Sequence, residues 1–139
     1  MKTLYRFLLG SLLLCFLSCG CGKSDLRMEL IGQWECTDFR WNQTRARNDA
    51  AKFTMVFNED GTCISFWTDK DGSRYMESTN RFTLLCERVR LEDEKVVFRT
   101  RLRGDALTLV LEDSASAEDV GKAIPFRRQQ FLPSVPHKR

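Results

Sequence analysis

Histidine is nearly missing from this chain: His137, third from the C-terminus in a tail of proline and basic residues, is the only one. Acid–base and nucleophilic catalysis need groups converging in one pocket, commonly with a histidine near its working pKa, and a solvated tail residue is not placed for that. The carboxylates give no substitute. Asp60, Asp71, Asp93 and Asp105 sit in turn-forming sequences, where short acidic side chains cap local backbone. No catalytic pair stands out, so the sequence predicts a protein that is not an enzyme and calls for no cofactor. Cys36, Cys63 and Cys86 lack Cys-x-x-Cys spacing and a neighbouring histidine, which argues against a zinc site. Excess charge is scarce too. Of 22 Lys and Arg residues against 19 acidic ones, Lys2 and Arg6 precede residue 19, and the remainder nets about +1. That balance gives no footprint for a nucleic-acid partner. Finally, no apolar run reaches the roughly 20 residues that cross a bilayer as a helix.

What the N-terminus does contain is informative. Lys2 and Arg6 precede the apolar stretch from Phe7 to Leu17, and Ser18-Cys19-Gly20-Cys21-Gly22 follows. A positive start, a short apolar core and small residues at the exit form a secretory signal. Cysteine at the cleavage point resembles the lipobox of bacterial lipoproteins, which implies diacylation of the thiol, cleavage before it and a membrane anchor. Cys19 fits with Phe16 in the leucine-like place; Cys21 is the alternative, and soluble export without acylation is the third possibility. Each acyl chain adds about 0.8 kcal/mol per buried CH₂, so one chain binds marginally and two or three hold almost irreversibly. The expected division is a signal peptide over 1–18, an acylated N-terminus and short polar tether over 19–29, a folded domain over 30–131 and a loose tail over 132–139. Cleavage before Cys19 leaves 121 of 139 residues, enough for one small domain with one core.

Within that domain the leading signal is period-two alternation interrupted by turn chemistry, which indicates antiparallel strands. Eight are expected. They run over Ile31 to Phe39, Phe53 to Asn58, Thr62 to Thr68, Ser73 to Glu77, Phe82 to Leu91, Val96 to Leu102, Leu107 to Leu111 and Ala123 to Gln129. Turns are expected at Asp60-Gly61, Asp71-Gly72, Asn80, Glu92-Asp93-Glu94 and Gly104-Asp105. Ser114 to Lys122 is a loop or one helical turn. The Thr62 to Thr68 strand leaves its inner face open between Cys63, Ser65, Trp67 and Ile64, Phe66. Leu85, Val89 and Leu91 oppose Leu102, Phe98 and Val96 only if a β-bulge changes parity near Leu84-Leu85. Open edges are costly, and pairing the first strand with the last removes both. The fold class is therefore all-β: an eight-stranded antiparallel up-and-down barrel.

Leu30-Ile31-Gly32-Gln33-Trp34, Phe57-Asn58-Glu59-Asp60-Gly61-Thr62 and Gly104-Asp105-Ala106-Leu107-Thr108-Leu109 together resemble the lipocalin-like domains of small bacterial lipoproteins. The resemblance implies a barrel in which the tryptophan of Gly-x-Trp packs across the closed end. It also implies residence in the bacterial cell envelope, facing the periplasm or cell surface. The chain is shorter than true lipocalins and lacks their later motifs, which argues against a deep pocket.

Two sets of residues are candidates for binding. Trp34, Phe53, Met55, Phe57 and Phe98 are bulky inward positions that either line a small apolar cavity or fill it, and Trp41 sits in the polar stretch expected to cross the barrel mouth. Arg88, Arg90, Arg99, Arg101 and Arg103 alternate on two adjacent strands and gather on one outer face. Neighbouring Glu87, Glu92 and Glu112 neutralise that face, or it meets an anionic surface or partner. The expected partners are the membrane, through the acyl chains, and a small apolar ligand or an envelope protein. For the body cysteines the expectation is one internal disulfide at most unless Cys21 joins, or buried thiols, with Cys86 facing outward if the bulge lies before it.

Overall fold

Alternating apolar residues give each strand one face to bury, and eight such faces turn toward a common axis in the computed structural model, which describes residues 23–38, 51–114 and 117–130. A short helix, α1 (Lys23–Leu30), leads into β1 (Gly32–Cys36), β2 (Lys52–Phe57), β3 (Thr62–Thr68) and β4 (Arg74–Leu85). Then come β5 (Arg88–Leu91), β6 (Val96–Arg103), β7 (Ala106–Asp113), a 3₁₀ turn (Ala117–Asp119) and β8 (Ala123–Arg128). Every strand pairs antiparallel with its sequence neighbour, and β1 pairs with β8, so the sheet closes as an up-and-down barrel. The predicted fold class is the observed one. Among the described residues this closed sheet leaves no edge strand for another chain to extend.

The two ends of the barrel differ. At the floor, where α1 enters, lie the turns at 58–61, 86–87 and 104–105; at the mouth lie 69–73, 92–95 and 114–122. Leu30, Trp34, Cys36, Met55, Phe57, Cys63, Val89, Leu107 and Leu109 are core residues at most 3% exposed. Each fully buried Leu, Val or Phe side chain contributes about 1.5–3 kcal/mol relative to exposure, before the entropy of ordering it.

Several expected boundaries are corrected. Lys23 to Leu30, assigned from the sequence mostly to a polar tether, are helical as α1. β1 is shorter than Ile31 to Phe39. Asn80 is no turn residue: it lies 2% exposed inside β4, which runs continuously through the expected break. The parity problem near Leu84-Leu85 is solved by a two-residue hairpin at Cys86-Glu87 and not by a bulge, so Leu85 pairs with Arg88, points outward and is 66% exposed. Cys86 has φ +54°, the positive value such tight hairpins require at their first turn position. Leu102 faces Leu107 instead of Leu85, whereas Val89 opposite Phe98 and Leu91 opposite Val96 hold as expected.

Bulges occur elsewhere. Ser65 pairs with Ser78 and Trp67 with Tyr75, so Met76 and Glu77 together oppose Phe66; Met76 has φ +50° and is 64% exposed. On β3, Cys63, Ser65 and Trp67 share the face of Phe57, Met55 and Phe53, which settles its inner side. Phe66 turns outward yet is buried, with the Arg74 guanidinium 4.1 Å above its ring. A second bulge makes Glu112 the extra residue of β7, between the pairs Val97–Asp113 and Phe98–Leu111.

Candidate functional site

The floor is packed solid. Trp34, fully buried, donates its indole N–H to the Leu30 carbonyl at 2.8 Å, tying α1 to β1. Arg128 has the inward parity of Ile124 and Phe126, and its guanidinium lies 4.3 Å from the Trp34 ring centroid. Its Nη1 donates to the Ile31 carbonyl at 2.9 Å and its Nη2 to the Glu29 carbonyl, while Nε sits 3.5 Å from Asp105. One cation therefore satisfies carbonyls at the C-terminal end of α1, where negative partial charge collects. Phe57 and Phe82 meet edge to face at 5.2 Å beside it, and Arg27 of α1 lies 5.3 Å over the Phe82 ring.

Above the floor, toward the mouth, the interior opens into a cavity of about 170 Å³. Its apolar wall includes Phe53, Met55, Phe98, Leu109, Ile124 and Phe126, and its polar side is formed by Ser65, Glu94, Ser114 and Asp119. Phe53 is held by tilted contacts with Trp67 at 5.1 Å and Phe126 at 6.2 Å. Glu94, from the β5–β6 loop, accepts hydrogen bonds from Ser78 Oγ and from Asn80 Nδ2, both at 2.9 Å. Asn80 Oδ1 is buried without a hydrogen-bond partner. Asp119, 4% exposed, pairs with Lys122 at 2.8 Å.

Of the six candidate ligand residues, Phe53, Met55 and Phe98 line this cavity. Trp34 and Phe57 belong to the floor, and Trp41 lies outside the described residues, as do Cys19 and Cys21. Sequence reasoning missed Asn80, Glu94, Asp119 and Arg128. Only Arg128 carried a usable signal: continuing the alternation of Ile124 and Phe126 places a charge at an inward position.

The five arginines do share the outer face of β5 and β6, all exposed. Arg88 and Arg99 stand directly opposite each other, and bulged Glu112 joins both, with Oε2 2.6 Å from Arg88 Nε and Oε1 2.5 Å from Arg99 Nη2. The hydrogen bond from Arg88 is the main cause holding the Glu112 carboxyl below the usual carboxylate range. Arg90 lies 3.8 Å from Glu92. Arg101 and Arg103 have no ion pair among the described residues.

Cys36 and Cys63 are buried and Cys86 is exposed. Gly32, Phe57 and Cys63 form one row across β1–β3, and Cys36 lies four residues farther along β1, roughly 13 Å at the usual rise. That separation is too long for a disulfide. Burial pushes the Cys36 thiol up to about 11 and the Cys63 thiol up to about 12, with the Glu94 charge adding to the latter. No group of three or more His, Cys, Asp or Glu side chains among the described residues is placed to hold a metal ion. No helix among them is long and apolar enough to cross a membrane. The chain matches no protein-family model and no curated protein.

Proposed function

We propose that this chain is a lipid-anchored envelope protein whose lipocalin-like barrel binds a small apolar ligand between β2, β6 and β7. The observation that carries the reading is the cavity of about 170 Å³ with its wall of apolar side chains. An engineered apolar cavity of about 150 Å³ stays dry and binds benzene, so the space suits a single ring or a short alkyl group. Ligand pockets for drug-sized molecules are larger, about 300–1,000 Å³, and a long fatty acid does not fit without movement. The solid floor and the tryptophan across it agree with the lipocalin-like resemblance. Anchoring rests on the residues around Cys19, with Cys21 as the alternative acylation point. Binding and not catalysis is the function.

Melting the protein with toluene, indole and hexanol tests the ligand reading. A ligand present at 100 times its Kd stabilises by about 2.7 kcal/mol, which raises the melting temperature of a domain this size by about 10 °C or more. No shift with any small apolar probe removes this reading. The second reading, an interaction module working through its loops or arginine face, is favoured by the filled lower half of the barrel and would then take its place. The intact mass of protein extracted from its own membrane tests anchoring: acyl chains on Cys19 support it, and an unacylated product starting beyond Cys21 ends it.

A further inference from the structure

We propose that the floor of the barrel docks on anionic lipid headgroups through Arg101, Arg103 and Arg127. This rests on the acyl-anchor reading, and it concerns which way the anchored domain faces. The register sets Arg103, Ala106 and Arg127 side by side across β6, β7 and β8, with Arg101 opposite Thr108 one step along. Strands about 4.8 Å apart place Arg103 and Arg127 roughly 10 Å from each other, with only the small Ala106 side chain between them. Two open grooves, of about 470 and 520 Å³, meet at Ala106 and Arg103.

Charge pairing separates these arginines from the rest. Arg88, Arg90 and Arg99 are matched by Glu112 and Glu92, and Arg128 by Asp105 and two carbonyls. Arg101, Arg103 and Arg127 are exposed and have no ion pair among the described residues; Glu87 lines the groove of Arg101 and Arg103, while nearby Asp105 pairs with Arg128 and Glu35, opposite Arg127, pairs with Lys52. Paired side chains satisfy one another. Unpaired guanidinium groups are suited to bidentate contact with phosphate oxygens.

Chain connectivity brings these groups to a bilayer. α1 enters at the floor, and an acylated Cys19 is four residues before Lys23, a reach of at most about 14 Å. A leash that short holds the floor against the headgroups, where juxtamembrane basic residues are attracted to anionic lipid. An acidic protein would have to enter that gap. The mouth and its cavity then face away from the membrane.

Cys86, exposed in the β4–β5 hairpin beside the patch, is a built-in reporter, because Cys36 and Cys63 are buried. The acylated protein is placed on vesicles of phosphatidylcholine, alone or mixed with phosphatidylglycerol. Reaction with an uncharged polyethylene-glycol maleimide is followed at Cys86 by peptide mass. Labelling should slow about tenfold on the anionic vesicles, recover in high salt, and recover in the R101Q/R103Q/R127Q variant. Unlabelled Cys36 and Cys63 verify that the variant is folded, and Arg103→Gln alone should lose part of the protection. Equal rates on both vesicles, or protection that survives the triple substitution, overturns docking. Intact mass and flotation separate the two readings: a natural product without acyl chains ends the anchor whatever it binds, its flotation with anionic vesicles alone still supports docking, and its failure to float with either overturns docking as well.

Discussion

Arg128 covers Trp34 from the opposite side of the seam that closes the barrel, so the last strand of the sheet secures the first. The same guanidinium fastens α1 through the Ile31 and Glu29 carbonyls. Arg128→Met should therefore cost about 2–4 kcal/mol, the scale of a charge-assisted hydrogen bond or a desolvated cation–π contact, with the methionine keeping part of the packing. Arg128→Lys should recover only part of it, since an ammonium lacks the planar fork. Urea midpoints measure both, and a wild-type midpoint for the Met variant would refute this role.

Gly32 has φ +137°, and a Cβ there would lie 2.8 Å from Arg128 Nη1. The far end of a flexible side chain normally yields, but this one is held by two carbonyls. Gly32→Ala should cost about 2–4 kcal/mol by combining backbone strain with a disturbed clamp. Its loss should shrink in the Arg128→Met background, which a double-mutant cycle reads directly.

Met55 and Phe57 share the inner face of β2, but Met55 borders the cavity and Phe57 the floor. Met55→Ala should cost about 2–5 kcal/mol and move binding toward bulkier apolar probes, because the space grows. Phe57→Ala should cost about 3–5 kcal/mol and leave probe preference unchanged. Melting curves across a ligand series distinguish them.

Glu112 relieves the direct opposition of Arg88 and Arg99, and its folded pKa is lowered by those partners. A carboxyl with a lowered folded pKa stabilises above its unfolded value and loses that contribution as pH falls through the folded one. Glu112→Gln should thus be less stable than wild type at neutral pH. The gap should narrow below about pH 4.5, the ordinary value, close at more acidic pH, and shrink in salt. A gap independent of pH would refute the ion-pair origin.

Among the body cysteines, only Cys86 should react with a thiol reagent at pH 8. Cys36 and Cys63, with pKa values near 11 and 12, should label only as the protein unfolds, and their rate should rise with urea.

Alternation made most of the barrel legible: Phe53, Met55 and Phe57, or Leu107, Leu109 and Leu111, declare their inner face by spacing alone. What failed to read were places where one residue serves an unusual backbone or partner. Cys86 adopts positive φ at a turn that no Gly or Asn announces, while Asn80, a common turn former, instead satisfies Glu94 inside the barrel. The bulges at Met76 and Glu112 depend on strand pairing, which a local pattern does not encode. A partly empty interior was unreadable for a similar reason. Strand stagger decides which bulky residues meet, so Trp34 and Phe57 fill the floor while Phe53 and Phe98 leave space between them.

Because β1 and β8 are antiparallel neighbours, β1 begins and β8 ends at the same end of the barrel. Circular permutation exploits such an arrangement: a short linker from residue 130 to residue 23, with new termini opened in the 69–73 connection, would preserve every ladder and the Arg128 clamp. A permutant of this kind carries its termini at the mouth, the end of the barrel opposite the Arg128 clamp.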